Sequence, residues 1–146
     1  MWWLVVMREI FENIIMCLIG GTLYVGVEIL MRGYSHYSMF VCGGMCFLLV
    51  GATGKNILEN NRRAVKAIVN IMIMGSLIIT TLELGTGIVV NLLFEMNVWD
   101  YSDMNYNVMG QICPLFSALW ALLSLPCVYI NSVIRKYIFG EKIEYM

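Results

Sequence analysis

The chain has 146 residues, of which 60% are hydrophobic and 13% charged, with a formal net charge of −1. A charged share near half the usual ~25% leaves too little polar surface for a soluble domain of this size, and the same hydrophobicity excludes disorder. No basic patch of the kind that binds nucleic acid is present, so a polytopic membrane protein remains, with lipid as the solvent of its apolar surface.

The amino terminus reads MWWLVVMREIFEN. No positive region precedes its apolar run, and Arg8, Glu9 and Glu12 interrupt it, so it does not read as a secretory signal. Trp2 and Trp3 look like an interfacial anchor. A bilayer core takes about 20 apolar residues per helix. Four stretches qualify: residues 13–31, 39–54, 67–94 and 108–134. The second is short, and the third is long enough to tilt. Nothing alternates polar and apolar over barrel-strand lengths. The expected fold is all-α: a polytopic membrane protein, a four-transmembrane-helix bundle forming one domain over residues 1–146, with the lipid bilayer as its surroundings.

Orientation follows from the cations in the loops. Arg8, Lys55, Arg62, Arg63, Lys66, Arg135, Lys136 and Lys142 share one side of a four-span chain, and only Arg32 lies on the other. The expectation is a multi-pass protein of the cell membrane with both termini cytoplasmic. The outer loops are then RGYSHYS and EMNVWDYSDMNYN, the second with Glu95, Asp100 and Asp103 and no cation.

Carboxylates inside spans are costly and usually mark function. Glu83 lies eleven residues from Phe94, a depth of roughly 16 Å at the helical rise. Ser76, Thr80, Glu83, Gly87 and Asn91 follow at spacings of 4, 3, 4 and 4 and share one helical face. In the first span, Gly20, Tyr24, Glu28 and Arg32 share a face, and Arg32 stands ready to pair with Glu28. The fourth carries Gly110, Pro114, Ser117, Ala121, Ser124 and Asn131. The ordinary reading of small and polar stripes is helix–helix packing. For Glu83 it is the weaker reading, because a glutamine would serve an interface hydrogen bond, so a buried acid points to proton or cation handling. The expected substrate-binding residues are Glu28, His36, Glu83, Asn91, Trp99, Asp100, Tyr101 and Asn107. In the outer loop, Asp100 or Asn107 could instead cap the helix that follows.

The five cysteines, Cys17, Cys42, Cys46, Cys113 and Cys127, lie in apolar runs without a CxxC pair. They read as packing residues, and no metal or other cofactor is expected. Tyr34-Ser35, Gly43 and Cys46 recur 67 residues later as Tyr101-Ser102, Gly110 and Cys113. That echo fits a duplicated helical hairpin.

The stretch NVWDYSDMNYNVMGQICPLFSALWALLSLP from Asn97, together with RGYSHYSMFVCGGMCFLL and ITTLELGTGIVVN, resembles the small four-span bacterial membrane proteins of Firmicutes type labelled ABC transporter permease. The resemblance covers about residues 20–142, and WDYS and GQIC are its most specific blocks. Family members often carry a proline where this chain has Met104-Asn105-Tyr106, which implies a less rigid loop here. The resemblance implies a transport role, and an ATPase as a separate chain, because no GxxxxGK[ST] motif occurs. It also implies a homo-oligomer or partner membrane subunits. Three functions are weighed. A transporter component would use Glu83 as its ionisable centre. A non-catalytic scaffold would assemble through the small-residue faces. An interfacial enzyme on a lipid-linked substrate would use His36, Asp100, Asp103 and Glu28, although no nucleophile–base spacing is recognisable.

Overall fold

The computed structural model describes residues 1–61, 63–143 and 145; Arg62, one of the cations counted for orientation, lies outside the described residues. Among the described residues, four helices are long and apolar enough to cross a membrane: α1 (Trp2–Arg32), α2 (Tyr37–Asn60), α3 (Ala64–Gly87) and α4 (Pro114–Tyr137). A π-helical segment, Ile88–Leu93, continues α3. The protein is a multi-pass, all-helical membrane protein.

Three boundaries differ most from the sequence expectation, and the first is the end of α2, which runs on to Asn60 rather than 54. Helix α1 begins at Trp2, so Arg8, Glu9 and Glu12 lie within it. Arg8 and Glu12 pair at 2.6 Å, one helical turn apart. Helix α4 begins at Pro114 rather than 108. Proline forces the residue before it out of the helical region, and Cys113 is extended, with φ −149° and ψ 158°. The apolar residues 108–113 instead form a turn closed by a Val108–Ile112 bridge. The 67-residue echo does not carry into local structure either. Gly43 and Cys46 are helical, whereas Gly110 and Cys113 lie in that turn.

Helix α2 is the hub, packing against α1, α3 and α4, and α3 packs on α4. Missing side chains make these approaches close. A Cβ at Gly44 would collide with Cys17 of α1, and one at Gly20 with Phe47 of α2. On the other side, Gly51 of α2 receives Asn131 of α4, and Gly75 of α3 receives Ser124. Asn131 also donates to the Phe47 carbonyl at 3.0 Å. Ser76 donates to the Ser117 carbonyl at 2.6 Å, and Thr80 to the Ser117 hydroxyl at 3.0 Å. The small and polar stripes of α3 and α4 are thus mainly packing devices.

The tail after α4 folds back over the end where α1 begins. Glu141 accepts from Lys55 at 2.8 Å and from Arg135 at 2.7 Å. Arg135 reaches Asn13 at 3.2 Å, and Arg8 reaches the Phe139 carbonyl at 2.8 Å. Burial opposes ionisation of Glu141, but the bonds from Lys55 and Arg135 outweigh it and hold the carboxyl below its ordinary range.

Candidate functional site

Helix α1 packs on α2 but not extensively on α4, and the gap between α1 and α4 is a cleft of about 700 Å³. Helices α2 and α3 form its floor through Gly43, Phe47, Ile79 and Glu83. Most of the lining is aliphatic or aromatic. The polar groups gather toward the end of α1 and the loop after α3, where Glu28, Arg32, Glu83 and Tyr101 meet.

Glu83 is 3% exposed. Its Oε1 accepts from the Tyr101 hydroxyl at 3.0 Å, and its Oε2 from the Trp120 Nε1–H at 2.8 Å. Both donors are neutral, and no cation forms a salt bridge with Glu83 among the described residues. Burial first, and the Glu83 carboxylate second, raise the Tyr101 phenol far above its ordinary value, so it stays protonated. Phe116 stacks on Tyr101 with centroids 4.5 Å apart, and Tyr24 of α1 reaches across to Trp120 at 6.1 Å. Glu28 is differently placed: Arg32 pairs with it, and Ser35 donates to it at 2.5 Å. Arg32 also lies over the Tyr34 ring, and its Nε is buried without a hydrogen-bond partner among the described residues.

The loop after α3 is ordered by Asn91. The π-helical turn places this buried side chain against the loop. Asn91 donates to the Trp99 carbonyl at 3.0 Å and to Gln111 Oε1 at 2.8 Å, and accepts from the Val98 N–H at 2.7 Å. Trp99 donates to the Gln111 carbonyl at 3.0 Å. Gly87 lets Gln111 and Trp99 close onto α3. This lattice carries Tyr101 to Glu83.

Of the residues expected from sequence, Glu28, Glu83, Trp99 and Tyr101 converge on the cleft. Asn91 stands behind them as an anchor. The other three lie elsewhere. His36 caps α2 by accepting from the Ser38 N–H at 3.3 Å. Asp100 accepts from the Ser102 N–H at 2.8 Å and from its hydroxyl at 2.5 Å. Those two bonds, the hydroxyl's first, lower the Asp100 carboxyl below its ordinary value. Asn107 accepts from the Gly110 N–H at 2.9 Å and donates to the Met104 carbonyl, also at 2.9 Å. Neither Asp100 nor Asn107 caps α4, whose first turn has no side-chain cap; both accept from N–H groups inside the loop instead, those of Ser102 and Gly110.

Trp120 is the residue that sequence reasoning passed over. Its signal was a tryptophan six residues into α4, deep for an aromatic belt, where a buried indole N–H needs a partner. Tyr24 and Arg32 were seen only as members of a stripe, although both line the cleft.

The chain belongs to the family described as Putative ABC-transporter type IV, whose family model matches residues 7–144. No curated protein and no solved structure matches it.

Proposed function

We propose that the chain is a membrane-spanning component of a transporter, with the α1–α4 cleft as its substrate site and Glu83 as the ionisable centre. One arrangement supports this reading above the others. A buried carboxylate with only neutral donors stands in the wall of a cavity of about 700 Å³. An intramembrane acid facing a cavity is suited to handling a proton or cation. A scaffold that works only by packing has no use for such a cavity. The enzyme reading loses its acid–base pair, since His36 and Asp100 are engaged separately as cap and turn. In this reading an ATPase and further membrane subunits, or further copies of this chain, are separate partners.

Leu123 lines the cleft and is 36% exposed. Leu123→Trp therefore fills the cleft without entering the core. It is expected to express normally and to reduce growth or uptake, in a strain that depends on the protein, to the level of a deletion. Full activity at normal expression would remove the cleft from the proposed function.

The same reading puts both termini in the cytoplasm of a cell-membrane protein. In a background lacking the native cysteines, Asp103→Cys is expected to react with an impermeant thiol reagent on intact cells. Asn61→Cys is expected to react only after permeabilisation. The opposite pattern reverses the orientation.

A further inference from the structure

We infer that the cleft takes a cationic amphiphile, with its apolar chain along the α1–α4 gap and its positively charged, hydrogen-bond-donating head at Glu83. The inference rests on the reading of Glu83 as the polar centre of the cleft, but not on transport itself.

The route of entry comes first. Because α1 packs extensively on α2 and meets α4 only at isolated points such as Asn13–Arg135 and Tyr24–Trp120, the gap beside α4 opens sideways, toward the lipid that surrounds these apolar helices. A ligand arriving that way needs an apolar part. The lining runs along α1 from Gly20 to Arg32, a length of about 18 Å at the helical rise. Its far end, around Phe47, Cys127 and Ile130, offers an aliphatic chain contacts and no polar side chain.

Charge sets the head group. At the polar end Glu28 is matched by Arg32, and Arg32 is further engaged by the Val98 carbonyl and the Tyr34 ring. Among the described residues Glu83 has no salt-bridged cation, and its hydrogen-bond donors are Tyr101 and Trp120. The polar end therefore lacks one positive charge when Glu83 is ionised, and an ammonium supplies it along with donors for the remaining lone pairs. An anionic head would instead face an uncompensated carboxylate; of the guanidinium, Nη1 and Nη2 are already engaged by Val98 and Glu28, leaving only Nε to receive it.

Size suits a small molecule. The cleft holds about 700 Å³, and small-molecule sites span about 300–1,000 Å³.

The test uses the purified chain in phosphatidylcholine nanodiscs and three spin-labelled probes with one alkyl chain, carrying an ammonium, a hydroxyl or a sulfate head. The ammonium probe is expected to be immobilised about tenfold more tightly than the other two, a modest part of what a close charge pair offers at intermediate dielectric. Glu83→Gln should abolish that preference while keeping residual chain binding. Leu123→Trp should remove binding of all three. Equal binding of the three heads overturns the inference, as does a preference that survives Glu83→Gln. A second transmembrane helix cross-linked into the cleft through a cysteine at Val27 overturns it as well. The transport reading is judged apart: uptake that depends on Glu83 without any head preference defeats the ligand class alone. Head preference with normal uptake by the Glu83→Gln protein supports the ligand class and defeats the transport reading.

Discussion

Glu83→Gln is expected to fold and accumulate like the unaltered protein, yet to drop growth or uptake in a dependent strain to the level of a deletion. The structural half of this expectation follows from the two bonds at the carboxylate. Trp120 Nε1–H can only donate, whereas the Tyr101 hydroxyl can donate or accept. A glutamine at position 83 accepts from Trp120 through its amide oxygen and donates to the Tyr101 oxygen through its NH₂. Both contacts, now 2.8 and 3.0 Å, survive with Tyr101 reversing its role. The stability change should stay within about 1 kcal/mol. Glu83→Ala is the contrasting control. It leaves the buried Trp120 N–H without a partner, which costs about 1–3 kcal/mol, and adds a cavity term. Glutamine cannot carry a charge or exchange a proton, so activity separates the two roles of the acid. Western blotting fixes the expression level, and a thermal shift of the detergent-purified variants checks the fold. A normally expressed glutamine variant with full activity would show that hydrogen bonding alone is what position 83 provides.

What the sequence made legible follows from what hydropathy and helical spacing measure. Four apolar runs became four helices because lipid exposure along a helix needs nothing beyond local composition. The stripe through Ser76, Thr80, Glu83 and Gly87 predicted a shared face, and the structure turns that face toward α4 and the loop. Hydropathy failed at residues 108–113. Val108, Met109, Ile112 and Cys113 are as apolar as a span, yet Gln111 and Cys113 are buried against protein rather than lipid. Average hydropathy does not separate those two kinds of burial; Pro114 was the better boundary signal. The tail was illegible for a different reason. Lys55 and Arg135 look like free cations when counted for orientation, and Glu141 joins Lys55 from 86 residues away. Sequence separations of that size follow no local period. The cleft itself depends on which helices fail to pack, and no single-helix pattern records that.

Asn91→Ala is expected to detach the outer loop from α3 and to destabilise the protein by about 3–5 kcal/mol. The side chain serves three partners at once: the Val98 N–H, the Trp99 carbonyl and Gln111. Alanine leaves the first two, and Gln111 Oε1, without bonds in a buried setting, where each unsatisfied group costs about 1–3 kcal/mol. Partial solvation of the released loop returns some of that cost, hence the lower bracket. Asn91→Asp is nearly as damaging. It still accepts from Val98, but it sets a carboxylate oxygen against the Trp99 carbonyl and Gln111 Oε1. The backbone around these groups has little slack, because Glu95 and Asn97 already hold φ values of 52° and 48°, a region that non-glycine residues seldom occupy. Hydrogen exchange by mass spectrometry on the purified protein should therefore show fast exchange across residues 95–113 in Asn91→Ala. Exchange in α2 beyond its first turns, where Met39 packs with Val90, Val98 and Trp99, should change little. The loop also carries Tyr101 to Glu83, so its release should lower uptake even where α1 to α4 remain assembled. If the loop of the Asn91→Ala protein stays protected and its melting temperature is unchanged, the anchoring role assigned to this asparagine is wrong, and the Trp99–Gln111 contact alone must hold the loop.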